Sequence, residues 1–80
     1  MARYLYSQSG KTIGYMNSGD RYLYSEGGQV IAYWDSRHKY MYTQEGNVYG
    51  YLASNGKYMY TQSGAVIGYF HPPYADEVTP

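Results

Sequence analysis

Four basic residues recur at intervals of eighteen: Arg3, Arg21, Lys39 and Lys57. Each is followed twelve residues later by a tyrosine, Tyr15, Tyr33, Tyr51 or Tyr69. If the two columns face each other across a hairpin, each cation lies over a ring with its alkyl stem covering the aromatic surface. Such a contact is worth ~0.5–1 kcal/mol at an exposed site. A ring of four cations could also hold a phosphate, an acidic glycan or a nucleic-acid backbone. Six basic and six acidic residues give a formal charge of zero. That balance favours local cation–π pairing and argues against a nucleic-acid partner. With Trp34, the sole tryptophan, these eight residues form the candidate binding surface.

Acid–base and metal chemistry finds little support in the remaining side chains. His38 stands near Asp35 in one turn-forming segment, and His71 precedes Pro72 and Pro73. The two histidines are 33 positions apart, so a shared site would need a second copy of the chain. Glu26 and Glu45 occupy different positions in neighbouring segments and make no matched pair of the kind a hydrolase uses. Ser7 and Ser25 lack a base within their own segment. Cysteine is absent, and no phosphate-binding loop, dinucleotide fingerprint or zinc spacing occurs. The expectation is a protein that is not an enzyme and takes no cofactor and no metal.

What must position these columns is an 18-residue unit present four times without insertion or deletion, at residues 3–20, 21–38, 39–56 and 57–74. Positions 1–5 of the unit read basic, Tyr, Leu/Met, Tyr, Ser/Thr, and positions 10–14 read Thr/Val, Ile/Tyr, Gly/Ala, Tyr, apolar. Both runs are strand-like. Between them lie SQSGK, SEGGQ, TQEGN and TQSGA. In each, the Ser or Thr can bond back to the turn and the glycine suits a positive φ. Each unit therefore predicts one hairpin. The fold class is all-β, with four consecutive hairpins closed around a pseudo-fourfold axis, because an open sheet this thin would leave two sticky edges. Residues 1–74 form one domain, and 75–80 an acidic, flexible tail.

Fourteen tyrosines crowd the chain, and twelve of them fall in positions 2, 4 and 13 of the unit. With position 5 opposite position 9, a regular ladder would put positions 2, 4, 10, 12 and 14 on one uncharged face, expected to be the buried one. It would also lay each position-2 tyrosine over the small residue at position 12. The opposite face also carries apolar pairs, so closure is expected to leave an apolar surface and drive homo-oligomer formation. No stretch approaches the ~20 apolar residues of a membrane helix. With no leader-like apolar segment near the first residues either, the expected location is the cytoplasm.

The unit Y-x-Y-S-x-x-G-x-x-I-G-Y resembles that of the bacterial four-fold beta flower domain over nearly the whole chain. The resemblance implies four hairpins set like petals and nothing about activity, because that family is functionally uncharacterised. A fainter likeness is to choline-binding repeats, which combine tyrosine pairs with a glycine turn. Here the tyrosines alternate, as Tyr4 and Tyr6 do, and the period is 18. Three functional readings follow. The first is a non-catalytic interaction or structural module. The second is a module binding choline or carbohydrate on tyrosine-rich faces. The third is an enzyme with a site built at an oligomer interface around His38 or His71.

Overall fold

The computed structural model describes residues 2–37 and 39–74. Eight short antiparallel strands run in chain order: β1 (Arg3–Tyr6), β2 (Thr12–Met16), β3 (Tyr22–Tyr24), β4 (Val30–Trp34), β5 (Tyr40–Tyr42), β6 (Val48–Leu52), β7 (Tyr58–Tyr60) and β8 (Val66–His71). Each pairs with its neighbour, and β1 pairs with β8 through Tyr4–His71, Leu5–Phe70 and Tyr6–Tyr69, closing a barrel. Closure removes the exposed edges an open sheet would present.

The hairpin turns form as the residue pattern demands. In the first, Ser7 N donates to Lys11 O (2.7 Å) and Gly10 N to Ser7 O (2.9 Å), while Lys11 N donates to Ser7 Oγ (3.2 Å). The same bonds recur around Ser25, Thr43 and Thr61. The turn glycine takes a φ of 88–94° in all four copies, a region closed to most side chains.

Beyond the turn the register departs from the regular ladder expected. Position 4 pairs with position 10 as anticipated (Tyr6–Thr12, Tyr24–Val30, Tyr42–Val48, Tyr60–Val66). The next pair joins position 3 to position 12, as in Leu5–Gly14 and Met59–Gly68, so position 11 is an extra residue. This β-bulge occurs in every hairpin. It shifts positions 1–3 by one place against their partner strand and reverses which face they present. The buried face therefore carries position 3 in place of positions 2 and 4. Leu5, Leu23, Met41 and Met59 are fully enclosed, alongside Ala32, Met16, Trp34 and Phe70 from positions 12 and 14. The bulge residues Ile13, Ile31, Tyr49 and Ile67 pack against that core.

The reversal also changes what lies over the position-12 glycines. No tyrosine ring covers them. A methyl group built on Gly50 would stand 2.6 Å from Ile67 Cδ1 and 2.8 Å from the Tyr60 carbonyl oxygen. One on Gly14 would meet the Tyr24 carbonyl oxygen and Ile31, and one on Gly68 the Tyr6 carbonyl oxygen and Ile13. Each glycine thus receives backbone and isoleucine from the following repeat, with the fourth repeat served by the first. Its lost side-chain packing is supplied from outside its own hairpin.

Gly68→Ala is expected to cost about 1–3 kcal/mol, because backbone must move to make room. Ala32→Gly should cost only about 1 kcal/mol, from the added chain entropy of the unfolded state. Urea midpoints of the two variants against the parent chain test this; equal midpoints for Gly68→Ala and the parent would contradict the close approach.

Candidate functional site

With positions 2, 4 and 13 facing outward, twelve tyrosines cover the outside of the barrel. Tyr4 and Tyr22 are exposed and the other ten are half-buried. Across each junction between repeats, a position-13 ring meets a position-4 ring of the next copy. Tyr15–Tyr24, Tyr33–Tyr42, Tyr51–Tyr60 and Tyr69–Tyr6 have centroids 5.6, 6.0, 5.7 and 5.6 Å apart, with interplanar angles of 31–39°. Within hairpins, Tyr22–Tyr33, Tyr40–Tyr51 and Tyr58–Tyr69 lie 6.1–6.3 Å apart. These tilted geometries are those aromatic pairs prefer, and each pair adds roughly 0.5–1.5 kcal/mol beyond its buried area. The rings hold one another in a belt around the barrel.

Position 1 starts each repeat, so the four cations gather at the end of the barrel opposite the hairpin tips. The bulge moves them opposite position 14, as in Arg3–Met16, and only part of the anticipated pairing with position 13 survives. The Arg21 guanidinium lies 5.7 Å from the Tyr33 centroid, and Lys57 Nζ lies 5.6 Å from Tyr69 and 5.4 Å from Tyr58. Lys39 Nζ lies 5.8 Å from Tyr40, its own neighbour, rather than over Tyr51. Arg3 leaves Tyr15 altogether and stacks 3.8 Å above Tyr74. Trp34 is fully buried, so it belongs to the core and offers no surface to a partner. Position 14 turns inward on the same face as position 12, which sends the indole to the centre.

Tyr74 is the residue the repeat pattern did not single out. It follows Pro72 and Pro73, ends the last repeat, and lies under the barrel end against side chains of the first and second repeats and the backbone of the third. Its ring is edge-on to Trp34 (5.6 Å) and Phe70 (5.1 Å), and its amide donates to Gly56 O (2.7 Å). Trp34 Nε1 donates to the Tyr74 hydroxyl (3.0 Å), which donates to Met16 Sδ (3.1 Å). Arg3 caps the assembly, its Nε donating to Pro72 O (2.7 Å). Burial pushes the Tyr74 phenol up, against the opposing pull of the Trp34 donor and the Arg3 charge. A signal was present, since position 18 reads Asp20, His38, Gly56 and Tyr74 and only the last copy closes on an aromatic.

The remaining candidates stay apart. Asp20 caps its turn: Oδ1 accepts from Arg21 N (2.7 Å) and Tyr22 N (3.2 Å), and Oδ2 from the Tyr24 hydroxyl (3.0 Å). That last bond is the main reason the Tyr24 phenol is raised. His71 is exposed at the end of β8, and Glu26 and Glu45 sit exposed on separate hairpin tips. His38 and residues 75–80 lie outside the described residues, so the expectations for that histidine and for the tail find no structural counterpart. Among the described residues, no group of three or more His, Cys, Asp or Glu side chains could hold a metal ion.

Tyr74→Phe removes the acceptor of Trp34 Nε1 and is expected to cost about 1–3 kcal/mol at neutral pH, with a change in tryptophan emission. The raised phenol stabilises the fold fully below the unfolded tyrosine pKa of ~10, and that contribution is lost as pH rises through the folded value. The variant should therefore lose less stability than the parent between pH 9 and 11, as thermal melts will show. No family model, no curated protein and no solved structure matches this chain.

Proposed function

We propose that this chain is a non-catalytic β-barrel module that associates with further copies of itself through its tyrosine belt. The observation carrying this reading is the contiguous outward array of twelve tyrosines on a barrel whose interior is already filled by its own side chains. Tyrosine is enriched at interfaces because its ring buries apolar area while its hydroxyl stays hydrogen-bonded. The belt has little conformational freedom left to lose, since neighbouring rings already brace one another. Zero net charge means copies do not repel. The strands contain three to six residues, short of the ~9–11 a membrane-crossing strand needs.

Saccharide stacking on the tyrosine pairs is the second reading, favoured by the two exposed rings at Tyr4 and Tyr22. Choline fits less well, because Arg21, Lys39 and Lys57 already stand near ring faces and repel a second cation.

Sedimentation and light scattering at micromolar to millimolar concentration are expected to show a dimer or larger species. Replacing the two exposed rings, Tyr4 and Tyr22, together with Ser should weaken the association while the chain keeps its β circular dichroism. A parent chain that stays monomeric throughout, with tyrosine fluorescence shifting on saccharide addition, would favour the second reading.

A further inference from the structure

Tyr24 stands apart from the other tyrosines of the belt. Its hydroxyl donates to Asp20 Oδ2 at 3.0 Å, and among the described residues no other belt phenol donates to a carboxylate. The difference comes from position 18 of the repeat. Asp20 fills it in the first copy, while the later copies have His38, Gly56 and Tyr74. We infer that the Asp20–Tyr24 pair makes the belt a one-electron donor. An oxidant of the peroxidase or photo-excited metal-complex class removes an electron, and the resulting tyrosyl radical comes to rest on Tyr24. The inference does not depend on self-association through the belt.

The step balances within the pair. The oxidant takes one electron from the phenol, and the phenolic proton crosses the existing hydrogen bond to Asp20 Oδ2. A neutral tyrosyl radical and a carboxylic acid remain, and the oxidant leaves reduced by one electron. Loss of the electron alone would leave a strongly acidic phenol cation radical. A base that receives the proton as the electron departs avoids that costly species. The 3.0 Å separation lies within the ~2.6–3.2 Å such a base needs. Asp20 is also held in place, because its Oδ1 accepts from Arg21 N (2.7 Å) and Tyr22 N (3.2 Å). The bond to Asp20 raises the Tyr24 phenol, so the group is protonated at neutral pH and its oxidation must move a proton.

The rings around Tyr24 can feed it. Tyr15 lies 5.6 Å away and Tyr22 6.4 Å, and the contacts continue from Tyr22 to Tyr33 (6.3 Å) and from Tyr33 to Tyr42 (6.0 Å). An electron vacancy arising on any of these five rings needs only contact-distance steps to reach Tyr24. Tyr22 is exposed and can meet an oxidant in solution, although Tyr24 itself is half-buried. Competing donors are withheld. The chain has no cysteine, whose thiolate oxidises readily, and Met16, Met41 and Met59 are enclosed in the core.

The test photo-oxidises the full chain with ruthenium tris-bipyridine and a sacrificial electron acceptor. Radical formation is followed by transient absorption, and the frozen product by electron paramagnetic resonance. A neutral tyrosyl radical is expected, coupled to one exchangeable proton (that of the Asp20 acid) which disappears in deuterated water. Its formation should be slower in deuterated water, because proton and electron move together. Asp20→Asn retains a carbonyl oxygen for Arg21 N and Tyr22 N but cannot take a proton. It should slow radical formation several-fold and abolish the coupled proton, with circular dichroism unchanged. Tyr24→Phe should have the same two effects. Tyr60→Phe, at the same repeat position but after Gly56, should have neither. A tryptophan radical on Trp34, a tyrosyl signal unaltered by Tyr24→Phe, or parent-like kinetics in folded Asp20→Asn would overturn the proposal. Should Asp20→Asn fail to fold, the Tyr24→Phe spectrum and the solvent isotope effect decide.

Discussion

One extra residue per hairpin governs the rest of this molecule. The β-bulge at position 11 shifts the paired strand by a single place, and a shift of one in a structure of period two exchanges its faces. Without it, the tyrosines at positions 2 and 4 would point into the barrel and Leu5, Leu23, Met41 and Met59 would point out. Eight phenols inside so small a barrel would need partners for eight hydroxyls, in a space whose fully buried aromatics are Trp34 and Phe70. With the bulge, the interior holds aliphatic, thioether, indole and phenyl groups, and it buries no polar side chain among the described residues. The bulge also increases local twist, as closing eight strands of such length requires.

The small residue at position 12 is the second half of the same device. It sits where the bulge residue and a backbone carbonyl of the next repeat press closest, so the interior is assembled between hairpins rather than within them. Gly14 receives Ile31, Gly50 receives Ile67 and Gly68 receives Ile13. The second copy has Ala32 in place of glycine, and the third copy has Tyr49 in place of isoleucine. Following the fourfold relation, these two exceptions face each other at the same junction, where a different pair fills the same space. An isolated repeat would lack both its filler and its edge partner, which is why four units form one cooperative body and none stands alone.

Symmetry is broken where the ring closes. Three of the junctions join repeats that are consecutive in the chain, while at the last the chain continues into Pro72, Pro73 and Tyr74, and Tyr74 packs beneath Arg3. The prolines cannot donate ladder hydrogen bonds, which ends the sheet there. The tyrosine then supplies a ring that meets Trp34 and Phe70 and a hydroxyl for the indole N–H. The belt and the seam thus divide the surface into a repeated part and a singular part.

Much of this was legible in the residues themselves. The 18-residue phase, the turn glycines and the Ser/Thr that bond back to them are local chemistry, so the four hairpins and their closure could be read directly. Zero net charge and the lack of cysteine set equally clear bounds. The inward or outward sense of each tyrosine could not be read, because alternation of period two labels two faces without saying which is inside, and a bulge changes the labels midway. Cation partners were half legible: Arg21 and Lys57 reach the expected rings, whereas Arg3 is captured by a residue 71 positions away that only closure brings beneath it. The amino-acid sequence determined the elements and their number. The tertiary structure decided the faces and the seam, because both depend on what each strand meets from another repeat.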